Sequence, residues 1–530
     1  MDDHSTLMAS SRSPRSDDAH DDGATACPYV VLHDAATDQK VRPLSASTSL
    51  WTPSTLAIPV TYLCVGFLLS FPRAYIEFFP RTRNASDAQL STVLVVRSLP
   101  WSIKVLFGIL PDNFPIKELR FKPYILLGYA LSSVFHWLLA RAGESELTVV
   151  SFTMLLLGAM VGIVLADVMS DALVASRVLR KEEAYPGHTQ STVYVCRGFS
   201  EMLGYWCGAF LSNRAEWAFG LTMSEVFLLL AVLPLVTVVP CIYLLEEPHV
   251  THVATWSQQR EQLWLMLQRR ATWQPLCFLA LFNAFLLHNS AWGNYLSVAY
   301  RFNAFEYGAM SAISASVTLL ALLLYRACIH PNSTSQPSWH HVYFITGILI
   351  SLFSILNILL VFKINDAMGI PAFWFAVGDS AVISFAKGFQ QLPLAIMLVS
   401  ACPENQEGIA YALLSSITNL AHAFAHTISN MLLRIWPVEL VDLRRGDYSG
   451  VWKLTVLTSV IALAPLFWTK TLLPRGKAEQ DAMRNELSVK GARVVLALYV
   501  FGFFWVLALS VLAIVEPCNV FVGGHGCPPT

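Results

Sequence analysis

Two aspartates, Asp167 and Asp171, stand four residues apart in the stretch 155–188. In a helix this spacing puts both carboxylates on one face, one turn apart. A single carboxylate inside a membrane helix costs about 2.5–3.5 kcal/mol on insertion scales, and repulsion between two of them favours a proton on one. The pattern predicts a proton-coupling pair that faces an aqueous cavity. In the alternative interpretation, Asp171 lies at the cytoplasmic helix end and pairs with Arg177 or Arg180.

An earlier apolar run carries two cations and a tryptophan with helical spacing. Arg97, Trp101 and Lys104 fall on a common face at i, i+4 and i+7. Two cations there suit an anionic ligand such as a carboxylate, but they suit ion pairs with the aspartates equally well. In a later run, Arg197 and Glu201 have the i, i+4 spacing of an internal neutralising pair.

Further polar candidates lie in the second half of the chain. Asp379 and Lys387 share one apolar run and are predicted to line a cavity between two repeat-related halves. His422 and His426 have the spacing of a metal pair, but the glutamate of an HExxH motif and a third ligand are absent from the sequence around them. We predict helix–helix hydrogen bonding for these histidines, with a proton relay as the alternative, and neither a metal site nor a cofactor. The predicted substrate-binding residues are Arg97, Trp101, Lys104, His288, Trp292, Asp379, Lys387 and Asn419.

The composition limits the class of protein. The chain has 530 residues, of which 55% are hydrophobic and 13% charged, whereas ordinary soluble domains have about 25% charged residues. The net charge of −1 gives no electrostatic basis for binding nucleic acid. The ten cysteines include no CxxC pair and no zinc-ligand spacing. These features indicate a membrane protein.

Long apolar segments alternate with short polar loops from Trp51 onward, and each is long enough to cross a bilayer, which takes about 20 residues. The predicted spans are 56–79, 90–111, 123–141, 147–173, 190–212, 221–245, 273–299, 306–328, 341–362, 371–400, 407–433 and 451–473, followed by a thirteenth apolar run at 491–515. The predicted regions are a disordered cytoplasmic tail at 1–50, a six-helix bundle at 51–245, a cytoplasmic linker at 246–272, a second six-helix bundle at 273–473, and a basic loop, an extra hydrophobic helix and a Cys-containing tail at 474–530.

Loop charges orient the chain. Lys and Arg are concentrated in the loops after spans two, four, six and twelve, which places the N-terminus and the 246–272 loop in the cytoplasm. The sequon at Asn84 then lies outside and is a predicted glycosylation site, whereas the sequon at Asn332 lies inside and is not. If the thirteenth run crosses the membrane, Cys518 and Cys527 lie outside and can form a disulfide.

Two groups of six spans joined by a cytoplasmic loop have the layout of a major facilitator transporter. The predicted fold is therefore an all-α polytopic membrane protein of two six-helix bundles with an extra C-terminal hydrophobic helix. Three motifs extend this prediction. Their residues are Pro100, Trp101, Lys104, Gly108, Asp112, Pro115 and Tyr124 in the first, Asp167, Asp171, Ala172, Leu173 and Val174 in the second, and Cys402, Pro403, Glu407, Gly408, Tyr411, Ala412, Ser416 and Asn419 in the third.

In this order, over about residues 55–475, the motifs resemble the folate–biopterin transporter family, a branch of the major facilitator superfamily. Val105, Pro111 and Ser176 depart from the family pattern, so the chain resembles a divergent member. The resemblance implies a secondary active transporter that moves a folate- or pterin-like solute by alternating access, and the aspartate pair adds proton coupling to this expectation. Another small organic solute, such as S-adenosylmethionine, is the alternative, and a non-transporting receptor or scaffold is a remote one.

An enzyme is not predicted, because the sequence has no GxSxG, DxD or GxGxxG motif. The expected partners are the solute, protons and the lipid bilayer, with the chain acting as a monomer in the plasma membrane. A gating or structural role is expected for Asp112, Arg177, Arg197, Glu201, Glu407, His422 and His426.

Overall fold

The computed structural model describes residues 49–83, 87–179, 187–212, 214–247, 249, 255–329, 337–403, 406–516 and 518–523. This part of the chain is almost entirely helical, and its extended pairings are two isolated β-bridges, Ile116 with Leu119 and Arg269 with Leu487. Cys518 is disulfide-bonded. Other predictions fall on residues outside the described ones, namely the tail up to residue 48, Asn84, Arg180, Asn332 and Cys527.

The first half of the described chain supplies six membrane-crossing segments. Its helices are α1 (Ala57–Ser70), α2 (Arg73–Thr82), α3 (Asp87–Ser102), α4 (Lys104–Asn113), α5 (Lys122–Glu146), α6 (Val149–Leu179), α7 (His188–Leu211), α8 (Arg214–Trp217) and α9 (Met223–Leu244). The pairs α1–α2 and α3–α4 each form one crossing, since Ala57–Pro80 and Val93–Asn113 are each long and apolar enough to span a bilayer.

The second half supplies six crossings and an additional C-terminal helix. Its helices are α10 (Trp256–Gln268), α11 (Arg270–Phe285), α12 (Trp292–Ala299), α13 (Ala304–Cys328), α14 (Trp339–Val361), α15 (Ile364–Ala367), α16 (Ala372–Ala401), α17 (Glu407–Leu432), α18 (Leu440–Arg444), α19 (Ser449–Ile461), α20 (Thr469–Leu472), α21 (Lys477–Ala482) and α22 (Val489–Val515). Short 3₁₀ turns occupy Ala464–Trp468, Met483–Asn485 and Val520–Val522. The helix α10 lies within the predicted linker, and α22 coincides with the thirteenth apolar run.

Each of the thirteen predicted spans overlaps a helical segment of the described chain. Ten of the segments are long and apolar enough to cross a membrane by composition alone. The segments α7 and α17 have the required length but carry charged and polar side chains, and the segment α11–α12 is interrupted. The description of the chain as an all-α polytopic membrane protein is therefore confirmed, and the departures from a purely apolar helix occur at these three places.

The second crossing is discontinuous between α3 and α4. Ile103, at φ −113° and ψ 21°, is not helical. Pro100 lies three residues earlier and has no N–H to offer the preceding turn, which weakens the helix at this point. Lys104 therefore opens a new helix, whereas Arg97 and Trp101 belong to the one before it.

The seventh crossing opens between α11 and α12, over residues 286–291. Asn289 holds the opened backbone by donating from Nδ2 to the Val451 carbonyl (3.0 Å) and to Thr455 Oγ1 (2.9 Å), both on α19. Gly293-Asn294, a pair of residues that often loosens a helix, lies inside α12 and not at the break. The break comes earlier because the polar side chain of Asn289 ties this stretch to a neighbouring helix.

The largest apolar core surrounds α6. Its residues Phe152, Val164, Met169 and Ala172 have no exposed surface, and the helix packs against α1 and α5. Phe152 also contacts Phe227 of α9, with 6.2 Å between the ring centroids. At about 25 cal/mol per Å² of buried apolar area, such packing fixes the helix firmly. Asp167 and Asp171 are thus presented from a helix that is largely enclosed by its neighbours.

Candidate functional site

The two aspartates lie on one face of α6 and share a single lysine. Lys104 Nζ is 2.6 Å from Asp167 Oδ2 and 3.2 Å from Asp171 Oδ2. Arg197 Nη1 on α7 reaches the other oxygen of Asp167 at 3.0 Å. Asp167 is therefore paired with two cations, whereas Asp171 is paired only with Lys104, which it shares with Asp167.

Two further side chains complete this group. Arg197 Nε lies 3.0 Å from Glu201 Oε1, so the predicted i, i+4 pair is formed, and it is also tied to Asp167. The hydroxyl of Tyr62 on α1 donates to Asp171 Oδ1 at 2.5 Å. We call Lys104, Asp167, Asp171, Arg197 and Glu201 the buried charge cluster. Fully ionised, it contains two positive and three negative charges, and Asp171 is the carboxylate with the least cationic compensation.

The predicted common face of Arg97, Trp101 and Lys104 is wrong, because it assumed an unbroken helix. Arg97 donates from Nη2 to the Leu69 carbonyl at 3.0 Å, whereas Lys104 belongs to the buried charge cluster. Trp101 stays with the cluster: its ring lies 4.5 Å from the Lys104 ammonium and 5.4 Å from the Arg197 guanidinium. Such cation–π contacts contribute about 0.5–2 kcal/mol each and orient both cations.

The broken ends of α3 and α4 are held by polar side chains from other helices. Asn419 Nδ2 on α17 donates to the Trp101 carbonyl at 3.2 Å, and Ser416 Oγ accepts from the Val105 N–H at 3.1 Å. The Tyr499 hydroxyl on α22 donates to the Ser102 carbonyl at 3.1 Å. Backbone groups freed by a helix break inside a bilayer must find partners of this kind. Tyr62 and Tyr499 were not predicted, since a tyrosine in an apolar run carries no sequence signal for these contacts.

A second group of polar residues gathers in the other half of the molecule. Three histidines, His288, His422 and His426, all lie within electrostatic range of Lys387. His288 and His422 also lie within electrostatic range of His426. The rings of His288 and His426 are 4.4 Å apart. We call Lys387, His288, His422 and His426 the basic surface.

The basic surface is open to solvent although it lies in the middle of its helices. Lys387, His422 and His426 are exposed. The helix α17, which carries His422 and His426, packs against α3, α4 and α6, and Arg73 on α2 is within electrostatic range of His426, so this surface faces the first half of the molecule. Within the described part of the chain, no carboxylate lies within 4 Å of the Lys387 ammonium.

The remaining predicted residues lie elsewhere. Asp379 is buried between α14 and α16, where Asn357 Nδ2 donates to its Oδ2 at 2.8 Å, so it is separate from Lys387. Trp292 packs against Tyr295 at 5.3 Å between ring centroids, within an apolar cluster. Neither side chain joins the buried charge cluster or the basic surface in this conformation.

At one end of the bundle, α4 and α17 are in close contact. Arg120 Nη2 pairs with Asp112 Oδ1 and lies 3.1 Å from Glu407 Oε2, and the Ile409 N–H donates to Asp112 Oδ2 at 2.9 Å. A Cβ on Gly108 would come within 2.5 Å of the Gly408 carbonyl, so only glycine permits this approach. We call this region the Asp112 end.

Arg120 stays protonated, and therefore positively charged, at the Asp112 end. Burial by itself lowers the pKa of its guanidinium, but the attraction of Asp112 and Glu407 outweighs burial, and the pKa is raised above its usual value. A further polar contact joins the two halves: the hydroxyls of Tyr194 on α7 and Tyr411 on α17 are 3.3 Å apart. Ion pairs, glycine packing and this tyrosine contact thus join the two halves at one end, and the gating or structural role of Asp112 and Glu407 stays a prediction.

A discontinuous helix carrying paired charges, together with an exposed basic surface opposite it, is the arrangement of a solute site between two helical bundles. The BT1 family model matches residues 66–491 of this sequence. The chain belongs to the BT1 family. The match includes the buried charge cluster, the basic surface and the Asp112 end.

Relatives of this BT1 family member are transporters by name. It is 25% identical to the folate-biopterin transporter of Synechocystis sp., over 79% of this chain and 82% of that one. It is 23% identical to the probable folate-biopterin transporter 2 of Arabidopsis thaliana, with the same two coverages. Identity to folate transporter 1 of Plasmodium falciparum is 22%, over 72% of each chain.

Solved structures with the same fold identify the architecture. The D-xylose–proton symporter superposes with a TM-score of 0.54 at 14% identity, over 80% of this chain and 98% of that one. The human organic anion transporter MFSD10 gives a TM-score of 0.52 at 14% identity, over 79% and 99%. The BT1 family member therefore has the major facilitator fold, two six-helix bundles, with α22 as an additional helix. It is a multi-pass membrane transporter of a small solute and not an enzyme, as predicted.

Proposed function

We propose that this protein is a secondary active transporter that moves a folate- or pterin-like solute by alternating access, coupled to protons. The observation that carries the proposal is the exposed Lys387 ammonium, which faces the first half with three histidines around it and without a carboxylate partner among the described residues. The names of the relatives supply the solute class.

The basic surface suits a solute with both an acidic group and a planar ring. The ammonium of Lys387 can bind a carboxylate, and neutral imidazoles can donate to or accept from ring nitrogen and oxygen atoms. Folates combine a pterin ring with carboxylates. S-adenosylmethionine, the alternative solute, carries a sulfonium and an ammonium against a single carboxylate, so its net charge is positive and is disfavoured beside Lys387. The charge pattern therefore favours a folate-like anion.

Proton coupling is proposed at the buried charge cluster, and its geometry favours Asp171 over Asp167 as the carrier. Asp167 accepts from both Lys104 and Arg197 and is the better stabilised anion. Asp171 shares Lys104 and otherwise accepts from the neutral hydroxyl of Tyr62. A proton on Asp171 removes the charge that is least compensated and leaves a balanced cluster, with two positive and two negative charges.

Alternating access is proposed to proceed by separation of α4 from α17. The contacts at the Asp112 end are the kind that can form and break as a unit, because they depend on ion pairs and close glycine packing and not on a continuous apolar seam. The transporter holds both halves and the space between them in one chain, which supports the monomer as its working unit. The plasma membrane is the proposed location.

The test is solute uptake into vesicles containing the purified transporter. Folate, biopterin and S-adenosylmethionine are compared, each with and without an inward proton gradient. We expect folate to be taken up best and to accumulate only with the gradient. Uptake of none of the three, or accumulation that ignores the gradient, would overturn the respective part of the proposal. A Lys387→Gln variant, measured in parallel, separates carrier-mediated uptake from leakage.

A further inference from the structure

The additional helix α22 lies across the seam between the two halves. It packs against α3 of the first half and against α11 and α17 of the second. Its buried positions include Val495, Gly502, Val506 and Ser510, which are spaced by seven, four and four residues and form one stripe. The opposite side, which includes Phe501 and Phe504, is exposed, as expected of a lipid-facing surface.

One polar contact of α22 reaches the break in the second crossing. The Tyr499 hydroxyl donates to the Ser102 carbonyl, immediately before the opened residue Ile103. Ser416, which accepts from the Val105 N–H, lies beside the same hydroxyl. In the low-dielectric interior, an unpaired carbonyl costs several kcal/mol. Tyr499 thus stabilises the particular geometry in which the helix stops at Ser102 and restarts at Lys104.

We propose that Tyr499 is a positioning residue for solute binding. By holding the Ser102 carbonyl, it fixes the break from which Trp101 and Lys104 project into the buried charge cluster. This inference rests on the proposed function, since it assumes that the buried charge cluster borders the solute space opposite the basic surface, so that a shift of the break changes the shape of that space and the affinity for the solute. It assigns to the thirteenth helix a role beyond the two six-helix bundles of the fold.

The chain provides a matched control on the same helix. Trp505 Nε1 donates to Thr427 Oγ1 on α17 at 3.1 Å. This bond attaches α22 to the second half only and touches neither the break nor the charge cluster. Replacing either aromatic residue by Phe removes one hydrogen bond and keeps an aromatic ring. Trp505→Phe also shortens the side chain, so it disturbs the packing of α22 at least as much as Tyr499→Phe does.

The experiment compares Tyr499→Phe and Trp505→Phe in the full chain. Removing one hydrogen bond at the break should raise the KM for folate about three- to tenfold while the maximal rate changes by less than about twofold. Trp505→Phe should leave KM at the wild-type value. In solute-free protein, backbone amide exchange at residues 103–106 should become faster in Tyr499→Phe and stay unchanged in Trp505→Phe.

The outcomes distinguish this inference from the proposed function. Wild-type KM and wild-type amide exchange in Tyr499→Phe would overturn the positioning role. Equal KM changes in both variants would also overturn it, since they would report general packing of α22. If wild-type protein transports none of the tested solutes, the proposed function fails, while the exchange measurement still decides whether Tyr499 holds the break.

Discussion

Lys104 and Asp167 form a 2.6 Å ion pair between α4 and α6, and their side chains are only 5% and 1% exposed. Lys104, which the sequence analysis considered as a binding group for an anionic solute, is therefore already neutralised inside the protein. Lys387, on the basic surface, is by contrast an exposed cation for which the described residues supply no such partner. This separation of a balanced cluster from a basic surface determines the following predictions.

Lys104→Ala should impair transport of all solutes to the same extent. It leaves Asp167 and Asp171 with one fewer cation, and removing one partner of a buried ion pair costs about 3–5 kcal/mol. Uptake of folate and of a neutral pterin is measured at equal protein level, together with thermal stability. A loss confined to folate would show that Lys104 binds the solute's acidic group directly.

Lys387→Gln should weaken folate binding and spare a neutral pterin. A hydrogen bond to a charged group contributes about 1.5–3 kcal/mol, which corresponds to a rise in KM of at least about tenfold. Lys387→Arg keeps the charge and serves as the control, with a smaller rise. Kinetics of folate and biopterin uptake measure the effect, and equal changes for both solutes would contradict it.

Asp171→Asn should retain solute exchange but lose accumulation driven by a proton gradient. The amide imitates the protonated acid at nearly the same shape, and the remaining charges of the cluster are balanced. Asp167→Asn should lower both activities, because it leaves Lys104 and Arg197 with weaker partners. Counterflow without a gradient and uptake with one separate the two activities. An Asp171→Asn protein that still concentrates solute would exclude this residue as the carrier.

Arg120→Gln should open the Asp112 end. Arg120 connects Asp112 to Glu407 between the two halves, and its raised pKa keeps it charged throughout the physiological range, so the contact should not vary with pH around neutrality. Cys402, which is 4% exposed at this end, serves as a native reporter. Its labelling by a maleimide should accelerate by about tenfold or more, as expected for loss of a buried pair.

Two variants control the labelling experiment. Arg214→Gln removes an exposed ion pair with Glu225, with both side chains more than half exposed, and should leave Cys402 unreactive. Cys402→Ala identifies the labelled residue. If Arg120→Gln labels at the wild-type rate, the Arg120 contacts do not close this end.

The Asp112 end should face the cytoplasm. Gln259 of α10 donates to the Asp112 carbonyl at 3.0 Å, so the predicted cytoplasmic linker and this end lie on the same side. A cysteine at the exposed Arg260 should resist an impermeant reagent added outside intact cells, and a cysteine at the exposed Arg444 should react. The reverse pattern, or a glycan on Asn332 in place of Asn84, would invert the orientation.

The helical framework could be predicted because a run of about 20 apolar residues is expected to form a membrane-spanning helix. The i, i+4 aspartates were predicted for a similar reason, since spacing within one helix fixes a shared face. The partner of Lys104 could not be deduced, because it depends on the relative register of α4 and α6. Arg97 was misplaced for a local reason: the break at Ile103 rotates one half of the crossing relative to the other.

The polarity of α7 and α17 has a consequence for biogenesis. Each charged residue at the centre of an isolated helix costs about 2.5–3.5 kcal/mol during insertion, and α7 carries both Arg197 and Glu201. Neither segment is among the ten that are apolar enough to enter a bilayer by composition. We expect α7 to enter the membrane together with α6, whose Asp167 neutralises Arg197. The ion pairs of the buried charge cluster would then act first during membrane insertion, and a charge variant would fail at synthesis before it failed at transport.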